Sequence, residues 1–201
     1  MVLQMAKQIG LLRFVLIFPF LEIDGQFHSK DLPGSGRRID VLCRSLAACF
    51  DWGPTTWPKM GIQVTAILAD QIAVIVDTPV EEIPRGEVSW ANIIKQSLKG
   101  NPPIYVEVKE MTLVDYLDAL IDAPNSKVWV LEETGTDIDE GPEMDSSFDN
   151  TILVGDHKGF DDRTKEIIAD RSIYPLSLGK TSYLGSHCVA AIIRLFERKV
   201  L

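Results

Sequence analysis

Between Ile152 and Leu195 the chain reads ILVGDHKGFDDRTKEIIADRSIYPLSLGKTSYLGSHCVAAIIRL, in which two short apolar runs each stop at a glycine. The runs are Ile152-Leu153-Val154-Gly155 and Pro175-Leu176-Ser177-Leu178-Gly179; a third, Val128-Trp129-Val130-Leu131, precedes them and ends in a polar loop. Short uninterrupted apolar runs are what strands buried on both faces look like. Three of them, each finishing in a loop, predict neighbouring parallel strands whose carboxyl ends line one crevice, where ligands sit in open α/β sheets. Residues 162–169 are expected to form a short helix between the last two strands, and 184–195 a closing amphipathic helix.

A glycine after a strand turns with positive φ or lets backbone approach a ligand, so Gly155 and Gly179 are expected to leave main-chain amides and carbonyls free for a bound molecule. Either glycine alone reads as an ordinary strand-to-helix turn. Together with Leu131, and with Lys180-Thr181-Ser182-Tyr183 opening the last helix, they outline a binding crevice.

At 201 residues, 46% apolar and 24% charged, the chain is predicted to be a single α/β domain over 1–201. The run Leu11–Leu21 (LLRFVLIFPFL) is too short to span a bilayer and carries Arg13 and Pro19. It imitates a signal peptide after Lys7, but no small-residue cleavage site follows, so it reads as a buried first strand. Cys43, Cys49 and Cys188 form no CxxC pair, and His28, His157 and His187 show no ligand spacing. These features predict a cytosolic protein with no metal and no membrane segment.

The net charge of −9 argues against a polyanionic partner until its distribution is considered. Glu132, Glu133, Asp137, Asp139, Glu140, Glu143, Asp145 and Asp149 form a block without Lys or Arg; setting those eight aside leaves 21 acids against 20 bases. The block is expected to be a solvated, mobile loop.

The Pro/Gly loop from Phe27 to Arg38 is followed by Ile39–Phe50 (IDVLCRSLAACF), apolar around most of a helical surface and so predicted to be buried on more than one side. Arg37, Arg38, Asp40 and Arg44 crowd the junction. Asp40 alone could simply match the helix dipole; three arginines beside it point to an anion such as RNA phosphate. Ile62–Leu68 and Ile72–Val76 read as a hairpin, and helices are predicted over 90–98 and 113–123. The apolar stripe of the last helix suits a dimer surface or the core equally.

Two segments, KDLPGSGRRIDVLCRSLAACF and ILVGDHKGF…YPLSLGKTSYLGSHCVAAI, together resemble the archaeal tRNA pseudouridine-54 N1-methyltransferases of the SPOUT, or α/β-knot, superfamily. A weaker similarity links Arg38-Ile39-Asp40, Ile83-Pro84-Arg85 and Tyr174-Pro175-Leu176-Ser177 to the ribosomal small-subunit pseudouridine N1-methyltransferases. The tRNA family often has glycine where Arg37 stands, and the acidic block has no counterpart. The resemblance implies a mostly parallel sheet with helices on both sides and a C-terminal trefoil knot, a homodimer, and S-adenosyl-L-methionine held by loops after Leu131, around Gly155 and from Leu178 to Tyr183. Cys188 would pack against the cofactor. Asp40 would orient the target base or accept its N1 proton, Arg38 would hold a uracil oxygen or phosphate, and Arg37, Arg44 and Arg85 would position tRNA. A methyltransferase for ribosomal RNA would share the cofactor residues; a non-catalytic knotted RNA-binding factor would lack an open pocket.

Overall fold

A computed structural model describes residues 9–29, 31–52, 61–80, 82–155 and 158–200. His157 and the Asp156 beside it, both in the ILVGDHKGF motif, lie outside the described residues, as does Lys30 of the Pro/Gly loop. In chain order the elements are β1 (Leu12–Phe18), α1 (Leu32–Ser35), α2 (Ile39–Phe50), β2 (Ile62–Leu68), β3 (Ile72–Asp77), α3 (Gly86–Leu98) and β4 (Val106–Glu110). They continue as α4 (Leu113–Ile121), β5 (Ser126–Asp137), β6 (Asp149–Val154), α5 (Asp162–Asp170), β7 (Tyr174–Ser177) and α6 (Gly185–Val200).

Among the described residues seven strands join one sheet in the order β4-β3-β2-β1-β6-β5-β7, of which β3 alone runs against its neighbours. The run from Leu11 is therefore the central strand, with Phe14 level with Val64 on one side and Ile152 on the other. Period-two alternation sends successive residues to opposite faces. Phe14, Leu16, Val64 and Ile152 pack in a core with α2, α3 and α6, while Val15, Ile17, Ile67 and Leu153 pack in a second core with α4 and α5. The expected β6, β5 and β7 are adjacent and parallel, so their carboxyl ends open side by side.

Helix α2 buries all of its residues except Arg44, as expected of a helix apolar nearly all round. Val189, Ile192, Ile193 and Phe196 of α6 lie in the same core, so the apolar stripe packs inside the chain. Within one copy, that stripe offers no dimer surface.

Three features depart from the sequence reading. Short α1 forms inside the Pro/Gly loop because Asp31 accepts hydrogen bonds from the amides of Gly34 and Ser35 and Pro33 starts the turn. Strand β4 was hidden because VEVKE is a half-exposed edge strand with little apolar signal. The acidic block is anchored where a mobile loop was expected. Residues 132–137 prolong β5, and pairing to β7 slips from Leu131↔Leu176 to Thr136↔Leu176. A Cβ on Gly135 would stand 2.7 Å from the Leu176 carbonyl carbon, so glycine is what lets the bulge close on β7. Farther on, Met144 and Ser146 are buried, and Asp149 accepts the Leu11 amide hydrogen bond at 2.8 Å.

Candidate active site

The carboxyl ends of β5, β6 and β7 enclose a cavity of about 480 Å³. Leu131, Gly155, Leu178, Gly179, Thr181, Ser182, Tyr183 and Cys188 all line it; Lys180 is exposed and is not among the lining residues. Sequence reasoning missed Glu132, Glu133 and Thr134 on the extension of β5, Lys158, Gly159 and Phe160 on the segment leading into α5, and Lys165 on α5 itself. It also missed Val154 and Gly185. Adjacency was the signal that could have found Glu132 and Val154, which directly flank Leu131 and Gly155.

The glycines act differently from one another. Gly155 passes so close to Gly159 that a Cβ on it would meet that residue's carbonyl carbon at 2.7 Å, which makes the floor of the cavity a backbone-on-backbone contact. Gly179 has φ +123, a conformation costly for side chains, with open space around it. Its amide donates to Ser177 Oγ at 3.0 Å, and Ser177 Oγ in turn lies 3.0 Å from its carbonyl. The expectation of a free main chain at Gly179 is therefore corrected: Ser177 holds the turn in shape. Gly185, the first residue of α6, sits with its Cβ position 3.6 Å from Val154 Cγ1 and 3.7 Å from the Gly155 carbonyl oxygen, closing the cavity's rear wall.

Burial, and then the nearby Glu133 carboxylate, push the Cys188 thiol above its ordinary range. It is a neutral wall group rather than a nucleophile. Among the described residues no group of three His, Cys, Asp or Glu side chains could hold a metal ion.

The arginine cluster forms a second locus. Asp40 is 3% exposed, and its carboxylate accepts from Arg38 Nε at 3.0 Å and Nη2 at 3.2 Å, and from Arg44 Nη2. Among the described residues its side-chain partners are guanidinium groups, and it stands in the first turn of α2, where a carboxylate also matches the helix dipole. Arg44 Nε also reaches the Asp40 carbonyl at 3.3 Å and lies 4.0 Å from Glu87 in the first turn of α3. Arg85, the exposed N-cap of α3, heads the helix that carries Glu87.

Arg37 and Arg38 both have positive φ, 44° and 75°. The left-handed region costs a branched-chain or long side chain about 1–2 kcal/mol per residue. Arg37 offsets part of that with an exposed ion pair to Glu22 at 2.8 Å. None of Arg37, Arg38, Asp40, Arg44 or Arg85 lines the cavity. Ser45 links the loci: its Oγ is 3.9 Å from the Gly185 Cβ position, on the helix whose head bears Asp40.

A family model described as "Putative SAM-dependent RNA methyltransferase" matches residues 11–200. The chain belongs to that family. A tRNA (pseudouridine(54)-N(1))-methyltransferase of Thermococcus gammatolerans is 30% identical over 195 residues, covering 83% of this chain and 87% of that protein. The like-named protein of Methanococcoides burtonii is 25% identical over 199 residues, 93% of this chain and 96% of the relative. Among solved structures, Archaeoglobus fulgidus Nep1 bound to S-adenosylhomocysteine superposes with a TM-score of 0.62 at 16% identity, over 92% of this chain and 97% of that one. At that identity the shared property is the fold: this methyltransferase has the SPOUT sheet.

The cofactor of the family is S-adenosylmethionine. The cavity suits it: the volume falls in the range of small-molecule sites, and at Gly155 the floor is bare backbone packed on Gly159, which no side chain could replace. Leu131, Leu178 and Val154 supply apolar wall, and Thr181 and Ser182 supply hydroxyls.

Proposed function

We propose that this protein transfers the methyl group of S-adenosylmethionine to N1 of pseudouridine 54 in the T loop of tRNA. The observation that carries the reading is the near end-to-end similarity to relatives bearing that activity in their names, in a chain whose own cavity sits at the β5-β6-β7 ends. Within that reading Leu131, Gly155, Leu178, Gly179, Thr181, Ser182, Tyr183 and Cys188 hold the cofactor, and Lys180 flanks its loop.

When bound, S-adenosylmethionine supplies a methyl group on a sulfonium, and the electron pair of the broken carbon–sulfur bond stays on sulfur. The chain's task is to bring N1 into line with that methyl, since positioning supplies much of the acceleration in such displacements. Pseudouridine joins its sugar through carbon, which leaves N1 carrying a proton that must depart as the N–C bond forms. Arg38 holds a uracil oxygen or a phosphate, and Arg37, Arg44 and Arg85 bind the RNA backbone. Asp40 either orients the base or takes the proton; with both its oxygens already engaged by arginines, the orienting role is the better supported. The target base leaves its stack to reach the site.

Because the arginine cluster and the cavity are separate loci in one copy, the working unit is a homodimer in which the α2 head of one copy serves the cavity of the other. The trefoil knot belongs to the same reading. Its support is that β7 pairs outside β5 while α6 returns to pack on α2. Free Cys43, Cys49 and Cys188, with no helix among the described residues long and apolar enough to cross a membrane, support a cytosolic enzyme.

The test uses labelled S-adenosylmethionine with two matched tRNA transcripts, carrying pseudouridine or uridine at position 54, and with ribosomal RNA. Label on the pseudouridine transcript alone is expected. Label on ribosomal RNA instead would reassign the substrate, and cofactor binding without transfer to any RNA would favour a binding factor.

A further inference from the structure

We infer that Glu132 and Glu133 set the preference of the cavity for the sulfonium cofactor over its neutral thioether product. The inference rests on the cofactor reading above and adds a role for the acidic extension of β5. Both residues line the cavity directly after Leu131, in the stretch where β5 leaves its ladder with β7. The bulge is fixed: Gly135 fits against the Leu176 backbone, Ser177 Oγ lies 3.4 Å from the Glu133 carbonyl, and Thr136 Oγ1 lies 3.0 Å from the Tyr174 hydroxyl. Two acidic residues are thus placed at the cavity on a braced piece of backbone, Glu132 half-buried and Glu133 exposed.

Neither carboxylate forms an ion pair with another described residue. The lysines that line the same cavity are Lys158, on the connection into α5, and Lys165, on α5 itself and 3.7 Å from Asp162. The acidic residues of the β5 extension therefore face a ligand without an ion pair of their own, whereas Lys165 is already paired. The field of Glu133 reaches the cavity interior, because it contributes to raising the Cys188 thiol.

Substrate and product differ at the reacting centre by one unit of charge, since the sulfonium becomes a thioether once the methyl leaves. Carboxylates in the wall attract the first and not the second, which favours loading and speeds product exchange. Such a difference for charges a few ångströms apart in a partly solvated site is worth about tenfold in affinity.

The experiment is calorimetric titration of S-adenosylmethionine, S-adenosylhomocysteine and sinefungin, which carries an amine in place of the sulfonium methyl, into the wild type and the Glu132→Gln/Glu133→Gln protein. The variant should bind the two cationic ligands about tenfold more weakly and S-adenosylhomocysteine within about threefold of wild type. An unchanged ratio of the Kd values overturns the inference while leaving the cofactor reading intact. Failure of all three ligands to bind wild type removes both. A second readout needs no ligand: Glu133→Gln should speed iodoacetamide alkylation of Cys188 in the free protein at pH 8.5, and an unchanged rate shows that the charge does not reach the cavity.

Discussion

Replacing Asp40 by asparagine separates the two loci most cleanly. The change keeps shape and removes charge from a carboxylate whose side chain is 5% exposed and which holds Arg38 and Arg44. Removing one partner of a fully buried pair costs roughly 3–5 kcal/mol, because the other charge is stranded. Here the stranded groups are arginines whose side chains are 34% and 28% exposed, and each can turn toward water. The cost should therefore fall to about 1–2 kcal/mol, a drop of some 2–8 °C in Tm for a chain of this size. Affinity for S-adenosylmethionine should stay within about twofold, because Asp40 does not line the cavity. Methyl transfer should fall by about 100-fold or more, the scale of a lost positioning or proton-accepting group. Thermal unfolding, calorimetry and single-turnover transfer on one preparation read all three. Wild-type turnover would remove Asp40 from the mechanism, and loss of cofactor binding would show that the α2 head shapes the cavity.

Other perturbations test other parts of the reasoning. Gly155→Ala forces a Cβ against the Gly159 carbonyl carbon at 2.7 Å; it should cost about 1–3 kcal/mol and weaken cofactor binding at least tenfold, read by calorimetry. Arg37→Gly should leave Tm within about 2 °C, because relief of a left-handed φ balances the entropy of glycine, yet weaken tRNA binding in a gel-shift titration. If Arg37 were only structural, both would move together. The Cys43, Cys49 and Cys188 thiols are all raised, chiefly by burial, so the fold keeps protons that the unfolded chain releases from about pH 9. Their contribution is complete below that pH and lost above it, and urea midpoints should be level through pH 8 and fall toward pH 10. Co-expressed Asp40→Asn and Gly155→Ala chains should recover roughly one quarter of wild-type transfer if sites are shared between two copies, and none if each copy works alone.

The parallel half of the sheet was legible because strands buried on both faces are largely apolar, and β1 and the Ile152–Val154 end of β6 announce themselves in that way, with Trp129 and Val130 marking β5. The central position of α2 was legible for the same reason. What escaped was structure whose stabilisation comes from elsewhere in the chain. Strand β4 has only one fully buried residue, Val106, and exists because β3 offers it an edge. The extension of β5 reads as polar loop, yet Gly135 packed on Leu176 and the Ile138 amide bonded to the Ser177 carbonyl at 2.9 Å keep it paired. Charge density predicted mobility there, and a long-range backbone fit overruled it. The cavity was legible where glycine marks a close approach, and illegible at Lys165, eleven residues from the end of β6.

The arginine corner shows why local sequence rules fail where they do. A chain optimised for stability would place glycine at φ 44° and 75°, and would not bury a carboxylate between two guanidinium groups. Two consecutive arginines in the left-handed region fix the backbone so that Arg38 turns back onto Asp40 at the head of α2 while Arg37 remains 61% exposed by side chain. The same junction thereby presents one held guanidinium and one that reaches into solvent. A cofactor cavity has no use for either, which agrees with the absence of both from its walls. Under the proposed function a polyanion meeting the cavity from outside would use both, the held group at a fixed point and the outer group along its backbone. The strain is the cost of aiming two neighbouring arginines differently, with rigidity supplied by α2, in which every residue but Arg44 is buried.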